Sequence, residues 1–242
     1  MSFRTETLSK SLQVHNLRID ELDSLRATAL VMMLISNFVT DLNYFGIMDV
    51  NKGDQWWWLA RATAFLFVSI SGISYFLAHQ KEYDFMKTFE RTKRLIFWAF
   101  MITIVTYIFA PNAYVRFGVL HLLALASIIA FPVARKPLYA LGIGFFLLFI
   151  PLSTNSNFVW LGLQETGTFA VDYFPLNPWL GIFFIFLAIS SQIYPTGKSL
   201  LHIKWPERWL WFGRNTLIIY VIHQPILIGL LILSGQVSLE DL

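Results

Sequence analysis

No cysteine occurs anywhere in the 242 residues, which excludes a disulfide scaffold, a thiolate zinc site and a cysteine nucleophile. Charge is scarce too. Only 14% of residues are Asp, Glu, Lys or Arg, whereas 56% are hydrophobic and 17% aromatic, and mean hydropathy is +0.58. A soluble domain carries about 25% charged residues. The N-terminus lacks a basic segment followed by a short apolar core and a small-residue cleavage site, so residues 1–21 read as a polar cytoplasmic leader and not as a secretory signal. Linkers rich in Gly, Ser or Pro are missing, as are internal repeats, and residues 1–242 read as a single domain. What fills the chain instead is a series of apolar runs, which defines an all-α polytopic membrane protein.

Seven such runs predict seven transmembrane helices in one bundle: Leu22 to Asn43, Leu59 to Ala78, Leu95 to Ala110, Phe117 to Val133, Leu138 to Leu152, Leu176 to Ile193, and Asn215 to Ser234. Several fall short of the usual ~20 residues, which a locally thin hydrocarbon zone accommodates. With the N-terminus in the cytoplasm, only Lys52, Arg61 and Arg116 of the 18 Lys and Arg lie outside. This positive-inside bias recurs at every inner loop. It accounts for the net charge of +3 without a nucleic-acid partner. The Trp56 to Trp58 run and Trp205, Trp209 and Trp211 read as interfacial anchors. Residues 80–94, QKEYDFMKTFERTKR, read as a basic cytoplasmic helix at the headgroups, where Arg91, Lys93 and Arg94 suit a phosphorylated ligand.

The first span is the least ordinary. At 1.5 Å and 100° per residue, Arg26 and Asn37 lie about 16 Å apart along the helix and roughly 20° off one line. Asp23, Arg26, Leu30, Met33, Asn37 and Asp41 form one stripe, polar at both ends. Ionisable groups at membrane depth face other helices or a wet cavity, so this stripe marks a candidate functional site. Towards the outer side, Arg61, Arg116 and Asp172 lie close to span ends, where they suit substrate binding. His121 sits a turn inside the fourth span. Small residues Ser69, Ser71, Gly72 and Ser74 predict close packing of the second span against the first. In the last span, Thr216, Tyr220 and His223 share a side, and Pro225 frees the carbonyl of Val221 and predicts a kink.

The ordered motifs RIDELDSLRATA (from Arg18), NFVTDL (Asn37), AFLFVSISGISYFL, FERTKRL, RFGVLHLLALA, DYFPLNPWLGIF and LIIYVIHQPIL resemble the prokaryotic relatives of heparan-alpha-glucosaminide N-acetyltransferase. The likeness runs from about Arg18 to Leu231 and extends to the wider superfamily of transmembrane acyltransferases. It implies a multi-pass enzyme of the cell membrane that moves an acetyl or other acyl group from cytosolic acyl-CoA, typically acetyl-CoA, to an extracytoplasmic sugar, glycan or amine acceptor, without a metal.

On that reading Arg26, Arg91, Lys93 and Arg94 hold the CoA phosphates. His121 is the general base, with His223 as second choice. Asn37 stabilises the oxyanion, and Asp41 orients or balances the histidine. Arg61, Arg116, Asp172 and His223 are candidates for binding the acceptor. The chain departs from the family at both usual histidine positions of the first span. Met48, followed by Asp49, stands where the lysosomal enzyme looks to carry its catalytic histidine, 11 residues after the position of Asn37, and Asn37 stands where many bacterial relatives carry histidine. Ala27 replaces a common glycine. A small-solute transporter and a non-catalytic scaffold are the competing classes, and a homo-oligomer is left open.

Overall fold

The computed structural model describes residues 18–149, 172–201 and 203–238. All regular structure among them is helical: α1 (Asp20–Tyr44), α2 (Gln55–Lys81), α3 (Phe85–Phe109), α4 (Val119–Ile129), a 3-10 turn (Phe131–Val133), α5 (Pro137–Phe149), α6 (Leu176–Ile193), α7 (Glu207–Arg214) and α8 (Thr216–Leu233). Five of these, α1, α2, α3, α6 and α8, are long and apolar enough to cross a membrane. The fold is that of a polytopic helical membrane protein.

Two of the expected spans are shorter than expected. The fourth, Phe117 to Val133, is an 11-residue helix broken at Ala130, because Pro132 has no N–H for a continuing helix and the chain tightens into the 3-10 turn. The fifth, α5, has 13 residues, and residues 150–152 of the expected span lie outside the described residues, as do residues 1–17 of the leader. The basic segment 80–94 is likewise not one helix. α2 runs to Lys81, Glu82 to Asp84 turn the chain, and α3 begins at Phe85. The Asp84 carboxylate supplies the reason, accepting from the Met86 N–H at 2.8 Å and the Lys87 N–H at 3.2 Å and so capping the start of α3. Pro225 does not end α8, which continues through it to Leu233.

Helix α2 is central, with α1 on one side and α6 on the other; α5 packs behind α6, α4 against α3, and α7 and α8 against α1. The main core joins Val68, Phe76, Leu122, Phe183, Phe184 and Leu187. A second, smaller core of Ala99, Val119 and Leu120 carries Leu217 and Tyr220 of α8. The small residues of α2 divide their contacts between neighbours. Ser74 meets α1 through Arg26, at 2.5 Å, but Gly72 meets α6: a Cβ there would lie 2.4 Å from the Phe183 carbonyl oxygen and 3.0 Å from the Leu187 nitrogen. Both atoms are backbone and cannot swing aside. Gly72→Ala should therefore cost about 1–3 kcal/mol by forcing α2 from α6, read as a lower midpoint of thermal unfolding in detergent. An unchanged midpoint would mean that this helix pair yields freely.

Candidate active site

A cavity of about 1010 Å³ runs between α1, α2, α3, α4, α8 and the start of α6 with the segment before it. Its lining on α1 extends from Arg26 to Thr40 and on α2 from Trp57 to His79. At 1.5 Å per residue the α1 portion alone spans about 21 Å. One space therefore touches both the end that the charge bias assigns to the cytoplasm and the opposite end.

At the inner end, Arg26 pairs with Asp23 and donates to the Ser74 hydroxyl at 2.5 Å. Asp23 is only 2% exposed, and its second oxygen accepts from Arg214 Nε at 3.3 Å. Two guanidinium groups thus compensate one buried carboxylate, as burial of a charge requires. Arg91 also lines the cavity and lies 3.9 Å from Glu82 at the surface. Lys93 and Arg94 are exposed and do not line it; Lys93 pairs with Glu90 at 2.6 Å. The inner group is completed by His79, Thr88 and Thr92, all lining residues. His79 Nδ1 lies 2.7 Å from the Tyr75 carbonyl, to which only a protonated nitrogen can donate, and Nε2 lies 2.7 Å from the Thr88 hydroxyl.

At the outer end the lining includes Asn37, Trp57, Trp58, Arg61, Asp172 and Tyr220. His223 Nδ1 is 2.5 Å from the Tyr220 carbonyl, so this nitrogen carries the proton and Nε2 is the acceptor. Nε2 is met at 2.7 Å by Asn37 Nδ2. The Asn37 side chain thus stands between His223, which is buried, and the cavity. One turn further along α1, Asp41 accepts from Gln224 at 2.5 Å, and its other oxygen is buried without a hydrogen-bond partner. Asp41 reaches the neighbour of His223 and not the histidine itself.

Asp172 accepts from the Tyr220 hydroxyl at 2.6 Å and from the Val119 N–H at 3.4 Å. Burial pushes its carboxyl up, while these two donors pull it down. The net shift is upward. Arg61 lies 5.0 Å from the Trp57 ring centroid and Arg116 4.7 Å from that of Tyr114, both cation–π distances. Arg61 lines the cavity and Arg116 does not.

His121 is placed differently. Its Nδ1 accepts from the Gly118 N–H at 3.2 Å, which leaves the proton on Nε2, 3.3 Å from the Thr103 hydroxyl. That hydroxyl in turn donates to the Val115 carbonyl at 2.8 Å. Both ring nitrogens serve the start of α4, and His121 is outside the cavity lining. Met48 lies in the turn after α1, also outside the lining. Among the described residues no group of three or more His, Asp or Glu is placed to hold a metal ion.

The sequence stripe brings Arg26, Met33 and Asn37 into the cavity as expected, whereas Asp23 and Asp41 turn towards α7 and α8. Residues that the stripe did not reveal are His79, Thr88 and Gln224. For His79 a signal existed: Ser71, Ser74, Tyr75, Ala78 and His79 recur at helical spacing on one side of α2, and all five line the cavity.

A family model described as heparan-alpha-glucosaminide N-acetyltransferase, catalytic, matches residues 18–225. The chain belongs to this family. No curated protein and no solved structure matches it. The matched interval begins at Arg18, the first residue of the motif string, and ends at Pro225, two residues past His223. The spanning helices and the family together make the chain a member of a membrane acetyltransferase family. Within it, Asn37 and His223 are a contacting polar pair at the outer end of the cavity.

Proposed function

We propose that this member of the family transfers an acetyl group from acetyl-CoA, entering from the cytoplasm, to a sugar, glycan or amine acceptor presented at the outer face of the cell membrane. The observation that carries the reading is the single cavity joining the inner cations Arg26 and Arg91 to Asn37, Arg61 and Asp172. Arginine suits phosphate because its donors form a planar fork. Of Arg26, Arg91, Lys93 and Arg94, the first two line the cavity and so have the access that a donor site needs.

His223, and not His121, is the base favoured by the geometry. Rotation of the Asn37 carboxamide about its soft terminal torsion opens Nε2 to the cavity and turns an amide N–H towards the thioester carbonyl. Nε2 then takes the proton from the acceptor's hydroxyl or amine as that atom attacks the carbonyl carbon. The Asn37 N–H stabilises the resulting oxyanion. Collapse breaks the carbon–sulfur bond, and the imidazolium returns its proton to the departing sulfur, giving CoA thiol. Asp172 and Tyr220 offer polar contacts to the acceptor, and Trp57 and Arg61 form the rim. Asp41 holds Gln224 and thereby the register of α8 beside His223.

A transporter would be expected to pair two interrupted helices. Among the described helices only α6 contains a non-helical residue, Asn177, so the enzyme reading stands ahead. The first test is thermal. Acetyl-CoA at roughly 100 times its Kd should stabilise the detergent-solubilised chain by about 2.7 kcal/mol, a rise of about 5–10 °C in midpoint for a domain of this size. Dephospho-CoA should give clearly less. Equal shifts with both compounds would remove the phosphate contacts, and no shift with either would remove the donor.

A further inference from the structure

We infer that α7 and the segment leading to it form a surface for anionic phospholipid headgroups, and that this contact is transmitted through Asp23 to Arg26 in the cavity. The inference rests on the donor reading only for its consequence, since Arg26 is there proposed to hold acetyl-CoA. Its structural basis is independent.

The outward face of this region mixes two chemistries. Lys198, Lys204 and Arg208 are exposed and make no ion pair among the described residues. Beside them Ile203 is 52% and Trp211 55% exposed. Cations next to apolar and indole side chains suit the boundary between headgroups and acyl chains. The positive-inside bias places the segment at the cytoplasmic leaflet, where each basic residue gains about 1 kcal/mol from anionic lipid.

The inward face is fixed to α1. Gly213 lies so close that a Cβ would fall 1.8 Å from the Asp23 carbonyl oxygen. Trp209 Nε1 donates to the Ser24 hydroxyl at 3.0 Å. Arg214 reaches Asp23 at 3.3 Å and Asp20 at 3.2 Å. The Asp23 carboxylate is shared, one oxygen taken by Arg214 and the other by Arg26. A displacement of α7 therefore alters the partner that sets Arg26, and Arg214 is a positioning residue.

The test uses the full chain in nanodiscs of phosphatidylcholine, with or without phosphatidylglycerol, and follows amide hydrogen exchange in residues 203–214 and 19–27. Phosphatidylglycerol should slow exchange in both segments about fivefold, the lower end of ordinary coupling between sites. K198Q/K204Q/R208Q, all surface changes, should abolish both effects. R214Q should keep the first and lose the second. Acetyl-CoA affinity of the wild type should tighten about fivefold in parallel. Equal exchange in the two lipids, or a lipid response retained by the triple variant, would overturn the lipid surface; transmission persisting in R214Q would overturn the route. Acetyl-CoA binding is read separately: its absence in both lipids overturns the donor reading while the exchange data still decide the lipid response.

Discussion

Replacing His223 with alanine should lower acetyl transfer by about 10²–10⁴-fold, the usual contribution of a positioned acid–base group, with acetyl-CoA affinity nearly unchanged. The separation of effects follows from place. His223 contacts Asn37 at the outer part of the cavity, whereas Arg26 and Arg91 stand at the inner part. The pH–rate profile of the variant should also lose the limb that a titrating general base provides. Asn37→Ala should lower turnover by about 10²–10³-fold, the scale for one oxyanion donor, and should keep that limb, because an amide does not titrate. His121→Ala is the contrast. It removes an acceptor for the Gly118 N–H and should cost about 1 kcal/mol of stability with turnover largely kept. Should His121→Ala instead be inactive and His223→Ala active, the Asn37–His223 pair would be a packing contact and the base would lie on α4.

The difference between these two histidines shows what a sequence of this kind reveals. Helical periodicity on α1 places Arg26 and Asn37 on the cavity side, because both positions depend only on rise and twist along one helix. The same rule, applied to α3, turns Thr88, Arg91, Thr92 and Leu95 to one face, with Lys93 and Arg94 about 150° and 110° from its centre. A run of like charges hides that separation when it is read as composition. His121 lies one turn inside an apolar run, a position that reads from sequence as a pocket residue. Its role is set by Gly118, which has no side chain to cap α4, and by Thr103 from another helix. Asp23 and Arg214 are 191 positions apart, and no local pattern announces their contact. Sequence thus gave the helices and the sides they present, while partners that cross between helices emerged only from the packing.

Arg26→Ala should weaken acetyl-CoA binding about 10- to 100-fold, the range for hydrogen bonds to a charged group of about 1.5–3 kcal/mol. The chain should still fold. Asp23, which loses Arg26, keeps Arg214 at 3.3 Å, so its buried carboxylate is not left without a cation, the circumstance that makes broken buried pairs so costly. Arg26→Lys should recover only part of the affinity, because an ammonium cannot supply a planar fork to Asp23, Ser74 and a phosphate together. Arg91→Ala should also weaken the donor, while Lys93→Ala with Arg94→Ala should leave its affinity within about twofold, since exposed charges outside the cavity act only through screened, long-range attraction. The measurement is acetyl-CoA titration of each purified variant at low and moderate salt, with acceptor affinity followed in parallel. A loss confined to the Lys93 and Arg94 variant would move the donor phosphates out of the cavity and onto the cytoplasmic surface of α3. Unchanged affinity in all of these variants would remove the donor site at the inner end altogether.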